Sequence, residues 1–307
     1  MIGELTMEVI EESARRIGGY TRRTPLLLLG HALGDFELLL KLEHLQVTGS
    51  FKARGAFSVM TGTEIPEAGV VAASGGNFGA AIAYAASELG HTATIFVPET
   101  SPDEKIDRIR GHGADVRVVA GYYDQAREAA EEFATATGAF QAHAYDQREV
   151  VAGQGTIAME IEDEGRPDMV LVPVGGGGLI AGTAGWLRDR TGVVAVEPDG
   201  CACFHSAVEA GRPVEVEVSG VAVSSLGARQ VGDHAWAVRD WIDQSVLVDD
   251  EAIVDAQRWL WSEARLVVEP AAATTVAALR AEAVRPDRGA RVVAVLSGAN
   301  VDPSTVG

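Results

Sequence analysis

Short runs of β-branched residues alternate with longer helix-patterned segments along most of the chain, and this alternation constrains the fold more than any other feature. Residues 70–73 predict a strand, 74–79 a Gly-rich turn and 80–89 a helix. Residues 92–97 then predict a strand, 102–110 a helix with proline near its first turn, 116–119 a strand and 124–135 a helix. A second series has a helix through 156–162, a strand over 169–174, a turn at 175–178, a helix over 179–189 and a strand over 193–196. Helices over 252–263 and 271–283 precede a last buried strand at 291–296. Parallel strands joined by helical crossovers give an α/β fold, here expected as two open, mostly parallel twisted sheets. At 307 residues the chain is near the size where one core stops growing, so two intimately packed domains are expected. No linker, repeat or low-complexity segment interrupts it, and no appended domain is expected after the last strand.

Charge narrows the function classes. A net charge of −19, with no clustered Lys/Arg stripe, would repel nucleic acid and anionic lipid, so neither is an expected partner. No apolar run approaches the roughly 18 residues of a membrane helix. Glu4, Glu8, Glu11 and Glu12 replace the basic region that would open a signal peptide. The two cysteines, Cys201 and Cys203, are too close to bridge comfortably and too few for a structural zinc site. A reducing, cytoplasmic setting is expected.

Four segments carry candidate chemistry. The first, Thr48-Gly49-Ser50-Phe51-Lys52-Ala53-Arg54-Gly55-Ala56, holds one of three lysines, the others being Lys41 and Lys105. Alone it reads as an ordinary helix-surface lysine. A Schiff-base lysine instead needs a partly desolvated site that lowers its pKa, and Phe51 would help wall such a site. The second, Ser74-Gly75-Gly76-Asn77-Phe78-Gly79, lies between a predicted strand and helix, where N–H groups can cradle a carboxylate or phosphate. It also reads as a plain turn. The third is Gly175, Gly176, Gly177 and Gly178, a run costly in conformational entropy that suggests close approach of a ligand such as a phosphate. Gly176, Gly178 and Ala181 also match the spacing of a dinucleotide fingerprint, with Glu197 ending the next strand. The fourth, Ser297-Gly298-Ala299-Asn300, directly follows the last strand and reads equally as a turn.

In this order and spacing the segments resemble the fold-type II pyridoxal-phosphate enzymes, which are tryptophan-synthase-β-like in fold, and within them the threonine/serine dehydratase and serine racemase family. The resemblance runs from Arg23-Thr24-Pro25-Leu26 through Gly153-Gln154-Gly155-Thr156 and Val268-Glu269-Pro270 to Asn300-Val301-Asp302. It implies a large cofactor-binding domain of residues 1–50 and 146–307 and a small substrate-side domain of residues 51–145. It also implies pyridoxal 5′-phosphate as cofactor, carried by Lys52 as a Schiff base, with Lys52 then the Cα base. Phe51 would pack on the ring, Asn77 would bond the ring hydroxyl, and Ser297 would meet the pyridine nitrogen. Gly175, Gly176, Gly177 and Gly178 would hold the phosphate. Ser74, Gly75, Gly76, Asn77 and Phe78 would bind the substrate. The implied reaction is β-elimination of L-threonine and/or L-serine to a 2-oxo acid and ammonia, by a homodimer.

Departures from the family pattern qualify that expectation. Gly75 stands where serine racemases have a second serine, which disfavours racemase activity. Phe78 replaces the loop's usual histidine and points to an altered substrate preference. Glu197, Cys201 and Cys203 break the oxygen-ligand set through which some relatives bind a divalent cation, so no metal is expected. Ala299 replaces a glycine. The alternatives within the scaffold are β-replacement of the cysteine-synthase kind and elimination from another β-substituted amino acid. More remote are a catalytically poor amino-acid binder and a nicotinamide oxidoreductase.

Overall fold

A computed structural model describes residues 5–306. Residues 1–4, with Glu4 of the acidic N-terminal run, and residue 307 lie outside the described residues, as do the outer ends of the expected large domain. Helix α1 (Met7–Ile17) precedes strands β1 (Leu26–Gly30) and β2 (Glu37–Lys41). Then come α2 (Lys52–Gly62), β3 (Val70–Ala73), α3 (Asn77–Leu89), β4 (Ala93–Pro98), α4 (Asp103–Gly111), β5 (Asp115–Val119), α5 (Tyr123–Thr137) and β6 (Phe140–Gln141). The chain continues through α6 (Arg148–Asp163), β7 (Met169–Pro173), α7 (Gly178–Leu187), β8 (Gly192–Pro198) and α8 (Cys203–Ala210). Short helices α9 (Val223–Leu226) and α10 (Asp233–Ala237) lead to β9 (Gln244–Val248), α11 (Asp250–Ala264), α12 (Pro270–Arg280) and β10 (Arg291–Val295).

The strands form a six-stranded sheet, β1-β2-β10-β7-β8-β9, and a four-stranded sheet, β5-β4-β3-β6. The smaller sheet is parallel throughout, and in the larger only β1 runs antiparallel to its neighbour. Residues 170–172 of β7 and 193–196 of β8 are wholly buried, as strands covered on both faces must be. Their side chains feed two cores, one beneath α6 and α7 and the other beneath α11 and α12.

Topology fixes where a ligand can sit. In the larger sheet the chain leaves β7 toward β8 and β9 on one side, while β10 lies on the other. In the smaller sheet β3 is likewise flanked by β4 and β6. The carboxyl ends of β7 and β3 are therefore the switch points, where crossover loops diverge and leave a crevice. Both glycine-bearing loops leave from these ends.

Several element limits differ from the sequence expectation. Helix α3 begins at Asn77, so the turn there is shorter than expected. Helix α6 begins at Arg148, ahead of the expected segment 156–162, and runs through Gly153 and Gly155. A Cβ on Gly153 would meet the Arg54 carbonyl at 2.5 Å, and one on Gly155 would meet Ile10 at 2.8 Å and the Gly182 carbonyl at 3.0 Å. These glycines let α2, α1 and α7 approach α6, and that packing outweighs their poor helix propensity of roughly 1 kcal/mol each.

Candidate active site

Lys52 opens α2, and the start of that helix is held from two sides. The Phe51 N–H donates to the Ser297 carbonyl at 3.0 Å, and Ser50 bridges to Gly298. From below, the buried Arg54 guanidinium donates to both Glu43 carboxylate oxygens at 2.8 Å and to Glu160 at 2.7 and 2.8 Å. Lys41 completes this buried cluster, donating to Glu160 at 2.6 Å and to the Thr24 carbonyl at 2.7 Å. Paired charges and satisfied donors make such a cluster tolerable inside the protein.

The Lys52 ammonium donates to the Ala144 carbonyl at 2.8 Å, and its Nζ lies 5.0 Å from the Phe51 ring centroid and 5.8 Å from that of Phe78. Burial disfavours the charged form and pulls its pKa from the usual lysine value down to about 8. Such an amine sheds its proton readily, as a nucleophile or base must.

One residue beyond Ala144, the Tyr145 ring lies against the glycine run. Cβ atoms on Gly176 and Gly178 would meet Tyr145 at 2.4 and 2.7 Å, one on Gly175 would meet Leu226 at 3.0 Å, and one on Gly177, where φ is +94°, would meet Ala235 at 2.4 Å. The space beside each glycine is thus filled by protein. What the run leaves available is its N–H face. The carbonyls of Gly175, Gly176 and Gly177 accept from Cys203 Sγ, Gly232 N and Ala181 N. Among the described residues, the N–H groups of residues 175–180 donate to no protein acceptor. Six successive free donors at the N-terminus of α7 form an anion cradle.

A second cradle lies at the end of β3. The N–H groups of Gly75, Asn77, Phe78 and Gly79 donate to no acceptor among the described residues, while Gly76 N–H donates to Ser74 Oγ at 3.3 Å. Phe78 packs into the core of the smaller sheet and walls Lys52 from that side.

Between the cradles sits Glu269, a buried carboxylate to which the sequence assigned no role. It accepts from Asn77 Nδ2, from Ser225 Oγ at 2.7 Å and from Asn300 N–H at 2.8 Å. Asn300 Nδ2 in turn donates to Asn77 Oδ1 at 2.7 Å. The Asn77 amide is therefore fixed in one orientation. The available signal was Glu269 directly before Pro270, an acid at a helix start.

A model of the family described as "Pyridoxal-phosphate dependent enzyme" matches residues 17–298. The chain belongs to that family. The pyridoxal-phosphate dependent enzymes it resembles include the L-threonine dehydratase biosynthetic IlvA of Salmonella typhimurium, 36% identical over 276 residues, which cover 87% of this chain and 54% of that protein. The chain thus spans about half the length of that relative. Maize serine racemase superposes with a TM-score of 0.93 at 29% identity, over 98% of this chain and 95% of that one. A threonine deaminase from T.th. superposes with a TM-score of 0.90 at 36% identity, over 97% of this chain and 99% of that one.

The residues present fit the family's cofactor: a desolvated amine, a six-donor anion cradle and, one hydrogen bond from Phe51, the Ser297 hydroxyl, which makes no hydrogen bond among the described residues. Glu197, by contrast, is fully buried and accepts from the N–H groups of Phe204 and His205 at 2.9 and 2.7 Å. Burial raises its pKa to about 8. A carboxylate committed to the start of α8 is not free for a ribose, so the dinucleotide fingerprint lacks its acid. Cys201 and Cys203 are free, buried thiols. No helix among the described residues is long and apolar enough to cross a membrane.

Proposed function

We propose that this pyridoxal-phosphate dependent enzyme eliminates water from L-threonine and/or L-serine, yielding a 2-oxo acid and ammonia. The observation that carries this reading is Lys52, a desolvated amine beside the two N–H cradles. In this reading Lys52 and Phe51 hold the cofactor ring, with Asn77 toward its hydroxyl and Ser297 toward its nitrogen. The N–H groups of Gly175, Gly176, Gly177 and Gly178 hold its phosphate. When bound, pyridoxal phosphate supplies an electron sink for negative charge at Cα.

The chain's own groups then divide the work. Ser74 and the N–H groups around Gly75, Gly76, Asn77 and Phe78 bind the substrate carboxylate. Lys52 Nζ would take the Cα proton. Ser297 contributes a neutral hydroxyl where a carboxylate would favour a protonated ring, which suits prompt loss of the β-hydroxyl. Gly75 offers no acid or base on the opposite face, which favours elimination over racemisation.

The two sheets support a division into a cofactor-side domain of residues 1–50 and 146–307 and a substrate-side domain of residues 51–145. The two free thiols support a reducing, cytoplasmic setting. A homodimer rests on family resemblance and is testable by light scattering.

The deciding experiment offers L-threonine and L-serine separately to the cofactor-saturated protein and measures 2-oxo acid. Release that disappears in Lys52→Ala supports elimination, and no release from either sinks it. β-Replacement is the second outcome, read by supplying sulfide with an activated serine.

A further inference from the structure

Of the three lysines, Lys41 is spent on Glu160 and Thr24, and Lys52 on Ala144. The ammonium of Lys105, in the first turn of α4, makes no hydrogen bond or ion pair among the described residues. It is nevertheless partly buried, although Asp103, Glu104 and Asp107 of its own helix stand exposed nearby. In a chain of net charge −19, an ammonium that pairs with none of these acids and gives up water needs another explanation.

Its surroundings supply one. Lys105 precedes the fully buried Ile109 by four residues, which places it on the inward stripe of α4. Burial lowers its pKa, and the carboxylate acting against that is Glu269, the group that holds Asn77. Glu269 already accepts from Asn77, Ser225 and Asn300, so it is not waiting for Lys105. Four residues before Lys105, Ser101 leans on the second cradle: a Cβ on Gly75 would meet Ser101 Oγ at 2.1 Å. Segment 101–105 therefore sets a hydroxyl against the loop whose N–H groups are free, with an unpaired cation one helical turn further on.

We propose that Lys105 and Ser101 complete the substrate-carboxylate subsite, with Lys105 providing the counter-charge and Ser101 a further hydroxyl donor. This rests on the reading that the 74–78 loop binds an amino acid. The subsite suits a carboxylate that arrives and leaves, because no resident acid occupies the ammonium. Charge-assisted hydrogen bonds are shorter and stronger than neutral ones, so removing the ammonium weakens binding of a carboxylate far more than of its amide.

The test titrates cofactor-loaded protein with L-alanine and L-alaninamide, following the absorbance of the bound cofactor. Neither ligand has a β-leaving group, so the readout does not depend on elimination. Lys105→Met is expected to raise the half-saturating L-alanine concentration about 10-fold or more, to change that for L-alaninamide less than about twofold, and Lys105→Arg to restore most of the loss. Ser101→Ala is expected to shift L-alanine alone, by a smaller factor. Equal effects of Lys105→Met on both ligands, or no effect on either, overturn the subsite. If the wild type responds to neither ligand, the amino-acid reading falls with it. If it responds to L-alanine but releases no 2-oxo acid from threonine or serine, only the elimination reading falls.

Discussion

Asn77 and Glu269, 192 residues apart in sequence, are joined side chain to side chain, with Asn77 Nδ2 donating to Glu269 Oε1 at 2.9 Å and Oε2 at 3.0 Å. This contact ties the loop after β3 to the start of α12, and so connects the two sheets beside the candidate site. With Asn300 donating to its Oδ1, the Asn77 amide cannot turn over without breaking two partnerships.

Glu269→Ala is expected to cost about 1–3 kcal/mol of stability, because Asn77, Ser225 and the Asn300 N–H lose a buried acceptor together. Loss of 2-oxo acid release should exceed what the fall in melting temperature explains. Glu269→Gln, which keeps the shape but not the charge, should recover stability more fully than activity.

Lys52 gives a pH signature. Burial sets its folded pKa at about 8, against about 10.4 for a free lysine, so between these values the folded chain binds fewer protons than the unfolded chain. Stability from this group therefore rises with pH through that window and is lost as pH falls back toward 8. Replacing Lys52 with Met should flatten that slope in denaturant titrations. Capture of added pyridoxal phosphate by the cofactor-free protein should become half-maximal near pH 8. A rate still climbing steeply at pH 10 would exclude the lowered pKa.

Arg54 serves as the anchor of α2. Arg54→Met leaves the buried Glu43 without its ion-pair partner and Glu160 with Lys41 alone, at a cost of about 3–5 kcal/mol. Equilibrium unfolding in urea measures it, and a change below about 1 kcal/mol would show that the cluster relaxes around the loss.

Gly176→Ala would place a methyl within 2.4 Å of the Tyr145 ring. The ring or the loop must move, which should lower pyridoxal-phosphate affinity by about 10-fold or more, a loss of about 1.4 kcal/mol. Gly138→Ala, at a left-handed φ of +75° that Gly176 does not share and with nothing within 4 Å of its Cβ, should lower stability while leaving cofactor affinity intact. Equal affinity losses in both would remove the argument from close approach.

Much of the architecture was legible because period and punctuation are local. The strand over residues 70–73 and the helix following residues 175–178 were marked by β-branched runs and by glycines where the chain turns. The limits of α6 were not, since Gly153 and Gly155 signal a break locally and become helical only through contact with Arg54, Ile10 and Gly182. The antiparallel pairing of β1 with β2 escaped the same reading, because Leu-rich runs carry little period.

The α/β class, the two glycine-bearing loops, Lys52 as the candidate amine and the family are legible in the chain alone, because each is written in local patterns of residue type and spacing. Packing adds that the space beside the glycine run is filled by Tyr145, Leu226 and Ala235, leaving its N–H face as the cradle. The same packing brings Glu269 to Asn77, commits Glu197 to the start of α8 and sets Ser101 against Gly75. These relationships join residues far apart in sequence, and a hydrogen bond or a steric contact leaves no local pattern in the chain. Burial likewise arises only when segments pack, and it is burial that makes Lys52 a poised amine.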